Sequence, residues 1–142
     1  QDPNFNLEYI PQEATIIAGS IVENITLGLE FEKSTFETVA RVSEIESLIT
    51  MRGSEGNLDN HSNEISGGQK QRLALARALY SRPLFVFMDE PLSGVDMKSH
   101  VKIFRNMKSR DVGVLMISHS IAIAEMCDKV YRIEDKRIKR VR

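Results

Sequence analysis

Ile65-Ser66-Gly67-Gly68-Gln69, followed further on by Asp89-Glu90-Pro91, decides how this chain is read. Between them, residues 70–80 predict a helix and residues 84–88 an apolar strand. Ser66 is a good N-cap. Gly67 and Gly68 let an anion approach the backbone N–H groups at a helix start, where the helix dipole adds partial positive charge. Two acids closing an apolar strand are costly without a charged partner, and there they make a metal-and-water site. Together the two stretches point to nucleoside triphosphate chemistry. No Gly-x-x-x-x-Gly-Lys-Ser/Thr loop, the usual phosphate cradle, occurs in the 142 residues.

A second apolar run, residues 112–118, ends at His119. If both runs are strands of one parallel sheet, His119 stands beside Asp89, within reach of a phosphate and of Glu90. Continuous apolar runs of this length predict strands buried on both faces. Residues 96–109 predict the crossover helix between them, with Val101 and Phe104 on one face. Upstream lie Tyr9-Ile10-Pro11-Gln12 and Ile17-Ala18-Gly19-Ser20-Ile21-Val22-Glu23-Asn24-Ile25.

In this order the motifs resemble the nucleotide-binding domain of ATP-binding-cassette (ABC) transporters. Residues 65–69 match the family signature, usually Leu-Ser-Gly-Gly-Gln. Leu84-Phe85-Val86-Phe87-Met88-Asp89-Glu90-Pro91 looks like the Walker B strand with its catalytic glutamate. Ser93-Gly94-Val95-Asp96 resembles the D-loop, His119 the switch histidine, and Gln12 the Q-loop glutamine. The stretch ending in Glu23-Asn24-Ile25 is similar to an exporter pattern.

The resemblance implies an α/β fold, part of the P-loop NTPase (ABC ATPase) architecture. Residues 1–19 would form the Q-loop region and 20–82 a helical subdomain with the signature helix. Residues 83–142 would form the C-terminal part of the parallel-sheet core and a closing hairpin. It implies ATP and Mg²⁺ as cofactors. Asp89 would hold Mg²⁺, and Glu90 would act as general base on the attacking water. His119 would orient Glu90 or the water. Gln12 would reach Mg²⁺ and the water and couple the site to the membrane domain. Ser66, Gly67, Gly68 and Gln69 would clamp the γ-phosphate of ATP held by the P-loop of a partner. Asp96 would lie at the dimer seam, cap the following helix, or do both. The implied partners are a second nucleotide-binding domain in a two-fold dimer and a transmembrane domain, at the cytoplasmic face of the membrane.

In the family the P-loop precedes the Q-loop glutamine, and Gln12 sits near the start here. The chain is therefore expected to be the C-terminal portion of a domain and, isolated, to bind ATP poorly and hydrolyse it negligibly. Two departures stand out. Leu58-Asp59-Asn60-His61-Ser62 replaces a stretch of Val-Gly-Glu-Arg-Gly character, and Gly94-Val95 replaces the common Ala-Leu.

Composition adds bounds. With 19 basic and 20 acidic side chains the net charge is −1, which argues against nucleic acid or an anionic surface as partner. The single cysteine, Cys127, cannot form an internal disulfide and fits a reducing compartment. It sits in an apolar helical pattern and is expected to be buried and structural. No apolar run approaches the ~20 residues needed to span a bilayer, so any membrane link would come through a partner or another part of the polypeptide. Lys70, Arg72 and Arg77 read as a solvated basic stripe. His61 in a loop and His100 on an exposed-looking helix receive no role.

Local signals complete the reading. Residues 1–19 read as an extended piece leading into a loop. Ser20 and Glu23 form a capping box for a short helix over 21–26. Ser34 or Thr35 is expected to cap a helix whose inner face carries Phe36, Val39 and Val42. Residues 44–51 predict a further helix, 53–63 a loop, and 130–141 a hairpin. Two competing functions stay open: a DNA-repair or chromosome-maintenance ATPase with a similar signature, and a non-catalytic interaction module. The Glu-Asn-Ile stretch, the balanced charge and the absence of coiled-coil heptads weigh against the first.

Overall fold

A computed structural model describes residues 6–58 and 65–142. In chain order the elements are β1 (Leu7–Ile10), β2 (Gly19–Ser20), α1 (Ile21–Thr26), α2 (Lys33–Val42), α3 (Glu46–Arg52), β3 (Asn57–Leu58), α4 (Gly67–Tyr80), β4 (Phe85–Asp89), α5 (Met97–Lys108), β5 (Gly113–Ile117), α6 (Ile121–Ala124), β6 (Tyr131–Glu134) and β7 (Arg137–Arg140).

The main sheet is parallel, in the order β1-β4-β5. Its middle strand is the Walker B-like run. Leu7 pairs with Phe85 and Ile10 with Met88 on one side; Phe85 pairs with Gly113 and Asp89 with Ile117 on the other. This register carries the end of β1, the acidic end of β4 and the end of β5 to the same rim.

Helix α4 is the hub. Leu73, Ala74, Leu75, Ala76, Ala78, Leu79 and Tyr80 are all buried, so the helix is apolar around most of its circumference. It packs against α1, α2 and β1. Helix α1 starts at the Ser20–Glu23 capping box that the sequence predicts, and Phe36, Val39 and Val42 of α2 face the core.

Some expectations are corrected. The sheet is covered on one face only. Ile10, Val86 and Met88 are buried beneath the helices, whereas Leu7, Tyr9, Leu115 and Ile117 of the opposite face are exposed. On that open face Tyr9 stacks on Phe87, with ring centroids 5.3 Å apart. Helix α2 begins one residue before Ser34, and neither Ser34 nor Thr35 caps it. Glu32 takes the N-cap position because it is tethered from outside: its N–H donates to the Tyr80 hydroxyl (2.8 Å) and its carboxylate pairs with Arg82. Helix α3 starts at Glu46 rather than Glu44, since Glu44 adopts a left-handed backbone (φ 56°) with its carboxylate paired to Lys102. On α5 the inner face is His100, Ile103, Phe104 and Met107, at helical spacing, with Val101 at the margin. The stretch 53–58 includes β3, which pairs antiparallel with β2. Residues 59–64, with His61 and most of the atypical loop, lie outside the described residues.

Cys127 is half-buried just beyond α6, where its thiol donates to the Ile123 carbonyl (3.3 Å). Burial pushes this thiol above its ordinary pKa. The hairpin of β6 and β7 forms in the expected place, with every strand residue exposed.

Candidate functional site

Glu90 follows β4 directly, at φ 42°, in the left-handed region that costs a non-glycine residue steric strain. Its N–H continues the sheet ladder by donating to the Ile117 carbonyl (3.0 Å). That bond fixes the turn, and the carboxylate meets two side chains from other segments. His119 Nε2 lies 2.8 Å from Oε1, and Gln12 Nε2 donates to Oε2 at 3.5 Å. The residues expected to act on water are thus gathered from the ends of all three strands. The imidazole is 89% exposed and the Glu90 side chain 26% exposed, so an accessible histidine stands over a partly sheltered carboxylate.

Asp89 ends β4 opposite Ile117, and its carboxylate has no side-chain hydrogen bond or ion pair among the described residues. No cluster of three or more potential metal-ligating residues occurs among the described residues. One unpaired carboxylate suits Mg²⁺, which is commonly held by one or two carboxylates together with substrate phosphates.

The start of α4 is built as its sequence demands. The Gln69 N–H donates to Ser66 Oγ (3.2 Å), and the Ser66 N–H donates to Gln69 Oε1 (2.9 Å). This closed capping box occupies the Gln69 side chain. Gly67 is open, with no atom within 4 Å of an added Cβ. Gly68 is buried, and a Cβ there would lie 2.6 Å from the Gly94 carbonyl oxygen. So within this group Ser66 and Gly67 face outward, while Gly68 serves close packing against the 93–96 turn.

Asp96 caps α5 by accepting from the Ser99 N–H (3.0 Å), which helps hold its carboxyl below the ordinary range. The capping half of its expected role is therefore visible in the geometry.

The basic stripe expected on α4 is not simply solvated. Arg72 donates to the Gly68 and Glu44 carbonyls. Arg77 donates to the Asn24 and Thr15 carbonyls and to Asn24 Oδ1, and burial lowers its pKa. Gln71 is a further residue that the sequence reading passed over. Its amide touches both the Gln12 segment and the 93–94 turn.

A family model described as ABC transporter matches residues 1–93, and the chain belongs to the ABC transporter family. Among curated relatives, it is 35% identical over 136 residues to the lactococcin transport/processing ATP-binding protein LcnC-like of Lactococcus lactis. That alignment covers 93% of this chain and 19% of the relative. It is 34% identical over 136 residues to the lactococcin-A transport/processing ATP-binding protein LcnC of the same species, with the same coverage. The chain thus spans about a fifth of the length of these relatives. A solved bacterial Atm1-family ABC exporter with ATP bound has the same fold, with a TM-score of 0.83 at 22% identity. That match covers 94% of this chain and 24% of the exporter chain. No helix among the described residues is long and apolar enough to cross a membrane.

Proposed function

We propose that this chain supplies the signature face and the water-activating face of an ATP-hydrolysing domain that drives export across a membrane. The observation that carries the reading is the Glu90 carboxylate held between His119 and Gln12. In this reading His119 steadies one carboxylate oxygen and the other accepts a proton from water positioned near the Gln12 amide. Asp89 would hold the Mg²⁺ that accompanies the nucleotide, which would supply charge neutralisation at the phosphate oxygens. Ser66 and the Gly67 amide, with the positive end of α4, face the γ-phosphate of ATP bound to a partner domain. The sequence carries no phosphate cradle of its own. The γ-phosphate and the amides that hold it therefore come with a P-loop from another segment.

Four further assignments belong to this reading. The chain divides into 1–19, 20–82 and 83–142, the Q-loop region, helical subdomain and end of the ATPase core. Its partners are a second nucleotide-binding domain and a transmembrane domain. It works at the cytoplasmic face of the membrane, and the 142 residues alone are inactive.

The test is Glu90→Gln in a polypeptide that carries these residues together with a P-loop. Glutamine keeps the shape and cannot take the proton, so turnover is expected to fall about 100-fold or more with ATP binding retained. Turnover close to that of the unsubstituted protein would remove Glu90 from the role of base.

A further inference from the structure

Gln71 lies in the second turn of α4 and is 7% exposed. Its Nε2 donates to the Gln12 backbone carbonyl (3.3 Å) and to Ser93 Oγ (3.1 Å). Its Oε1 accepts from the Gly94 N–H (2.9 Å). The orientation of the amide is fixed by its partners, because a carbonyl can only accept and a backbone N–H can only donate. A flipped amide would lose both contacts. One buried side chain therefore joins three segments: the helix that begins with the signature, the loop carrying Gln12, and the turn after Glu90. The Gly68–Gly94 backbone contact closes the same junction from the helix start.

We propose that Gln71 is a positioning residue that holds the Gln12 loop and the 93–94 turn to the signature helix as one unit. Among its hydrogen bonds none reaches Glu90 or His119; it acts by fixing the backbone from which the Gln12 side chain reaches Glu90. Any shift of α4 at a dimer seam is then passed to the Gln12–Glu90 contact through this amide. The inference rests on the reading of Glu90 as the water-activating group.

Three substitutions separate its parts. Gln71→Glu keeps an acceptor for the Gly94 N–H but sets an oxygen against the Gln12 carbonyl. Ser93→Ala removes one acceptor at an exposed position and leaves the helix intact. In the P-loop-bearing polypeptide, Gln71→Glu is expected to lower kcat for ATP about 10-fold while KM stays within about twofold. Ser93→Ala is expected to lower kcat about twofold. Hydrogen exchange on the same polypeptide reads the tether without turnover. Gln71→Leu is expected to speed exchange of the Gly94 amide at least about tenfold, with the rest of α4 unchanged. Unchanged kcat in Gln71→Glu, or kcat falling only in step with melting temperature, overturns the positioning role. Unchanged Gly94 exchange in Gln71→Leu overturns the tether itself. If the unsubstituted polypeptide binds ATP without hydrolysing it, the reading of Glu90 fails, and the exchange measurement still decides the tether.

Discussion

Gly68 and Gly94 meet backbone to backbone, leaving no room for even a methyl group between the start of α4 and the turn that follows Glu90. The neighbouring Gly67 has open space around it. Gly68→Ala is therefore expected to push the two segments apart and to destabilise the chain by about 1–3 kcal/mol. Gly67→Ala, at a helical position with no neighbour, is expected to be neutral or slightly stabilising. Thermal melting of the two variants side by side checks this, and equal melting temperatures would contradict the crowding at Gly68.

His119 touches Glu90 and is otherwise almost fully solvated. His119→Ala should leave melting unchanged and lower turnover of the P-loop-bearing polypeptide about 10-fold or more. A variant that hydrolyses ATP normally would make the 2.8 Å contact irrelevant to the reaction.

Ser66 is exposed, and its hydroxyl closes the capping box. Ser66→Arg is expected to block ATP-driven dimer closure by filling the gap beside Gly67, while ATP binding to a single domain persists. The arginine also removes a cap worth about 1 kcal/mol, so Ser66→Asn, which preserves capping, serves as the control for helix stability. Mixing Ser66→Arg subunits with subunits whose P-loop is disabled leaves one composite site whole in the heterodimer. That mixture should close around ATP while neither variant does so alone. Heterodimers that form yet never close would sink the trans placement of the signature.

His100 packs inward on α5 with its Nε2 unpartnered among the described residues, and burial holds its pKa below the ordinary 6.5. The unfolded chain then binds the proton more tightly than the folded chain. Stability from this residue is complete above about pH 6.5 and declines as the pH falls toward the lowered folded-state value. The melting temperature is expected to drop between pH 7.5 and pH 5, and His100→Leu should flatten that part of the profile. An identical slope in the variant would assign the pH dependence to other groups.

The open face of the main sheet presents Leu7, Tyr9, Leu115 and Ile117 to solvent, and among the described residues β1 and β5 are its edge strands. Apolar patches bounded by unpaired strand edges favour self-association. The 142-residue chain is expected to form oligomers at micromolar concentration and to bind an apolar-surface dye. Light scattering that reports a dye-negative monomer would count against this.

Much of the fold was legible because its signals are local. The Ser20–Glu23 capping box, the inner face of α2, the apolar strands β4 and β5 and the closing hairpin follow from spacing within a few residues. The approach of His119 to the acidic end of β4 was legible from the two apolar runs, since a parallel sheet brings strand ends to one rim; Gln12 entered through the resemblance to the family, not through any strand signal. What escaped depends on distant partners. Tyr80 and Arg82 move the N-cap of α2 to Glu32, and Lys102 holds Glu44 outside α3. Gln71 and Gly68 look like an ordinary polar helix residue and a cap-region glycine until the 93–94 turn lies against them. The one-sided covering of β5 was missed because continuous apolar runs mark burial in a completed layer, not in the residues at hand. The burial of His100 follows from its place one turn before Phe104, a periodicity that a histidine obscures.

The bridge between α4 and α1 has one more property. Arg77 brings a full positive charge to it, yet every partner among the described residues is neutral: two backbone carbonyls and an amide oxygen. Among the described residues no counter-charge is paired with it for dissolved ions to screen. Exposed pairs such as Lys33 with Glu37 weaken as ionic strength rises. The Arg77 contacts between these two helices are therefore expected to depend less on ionic strength than such exposed pairs do.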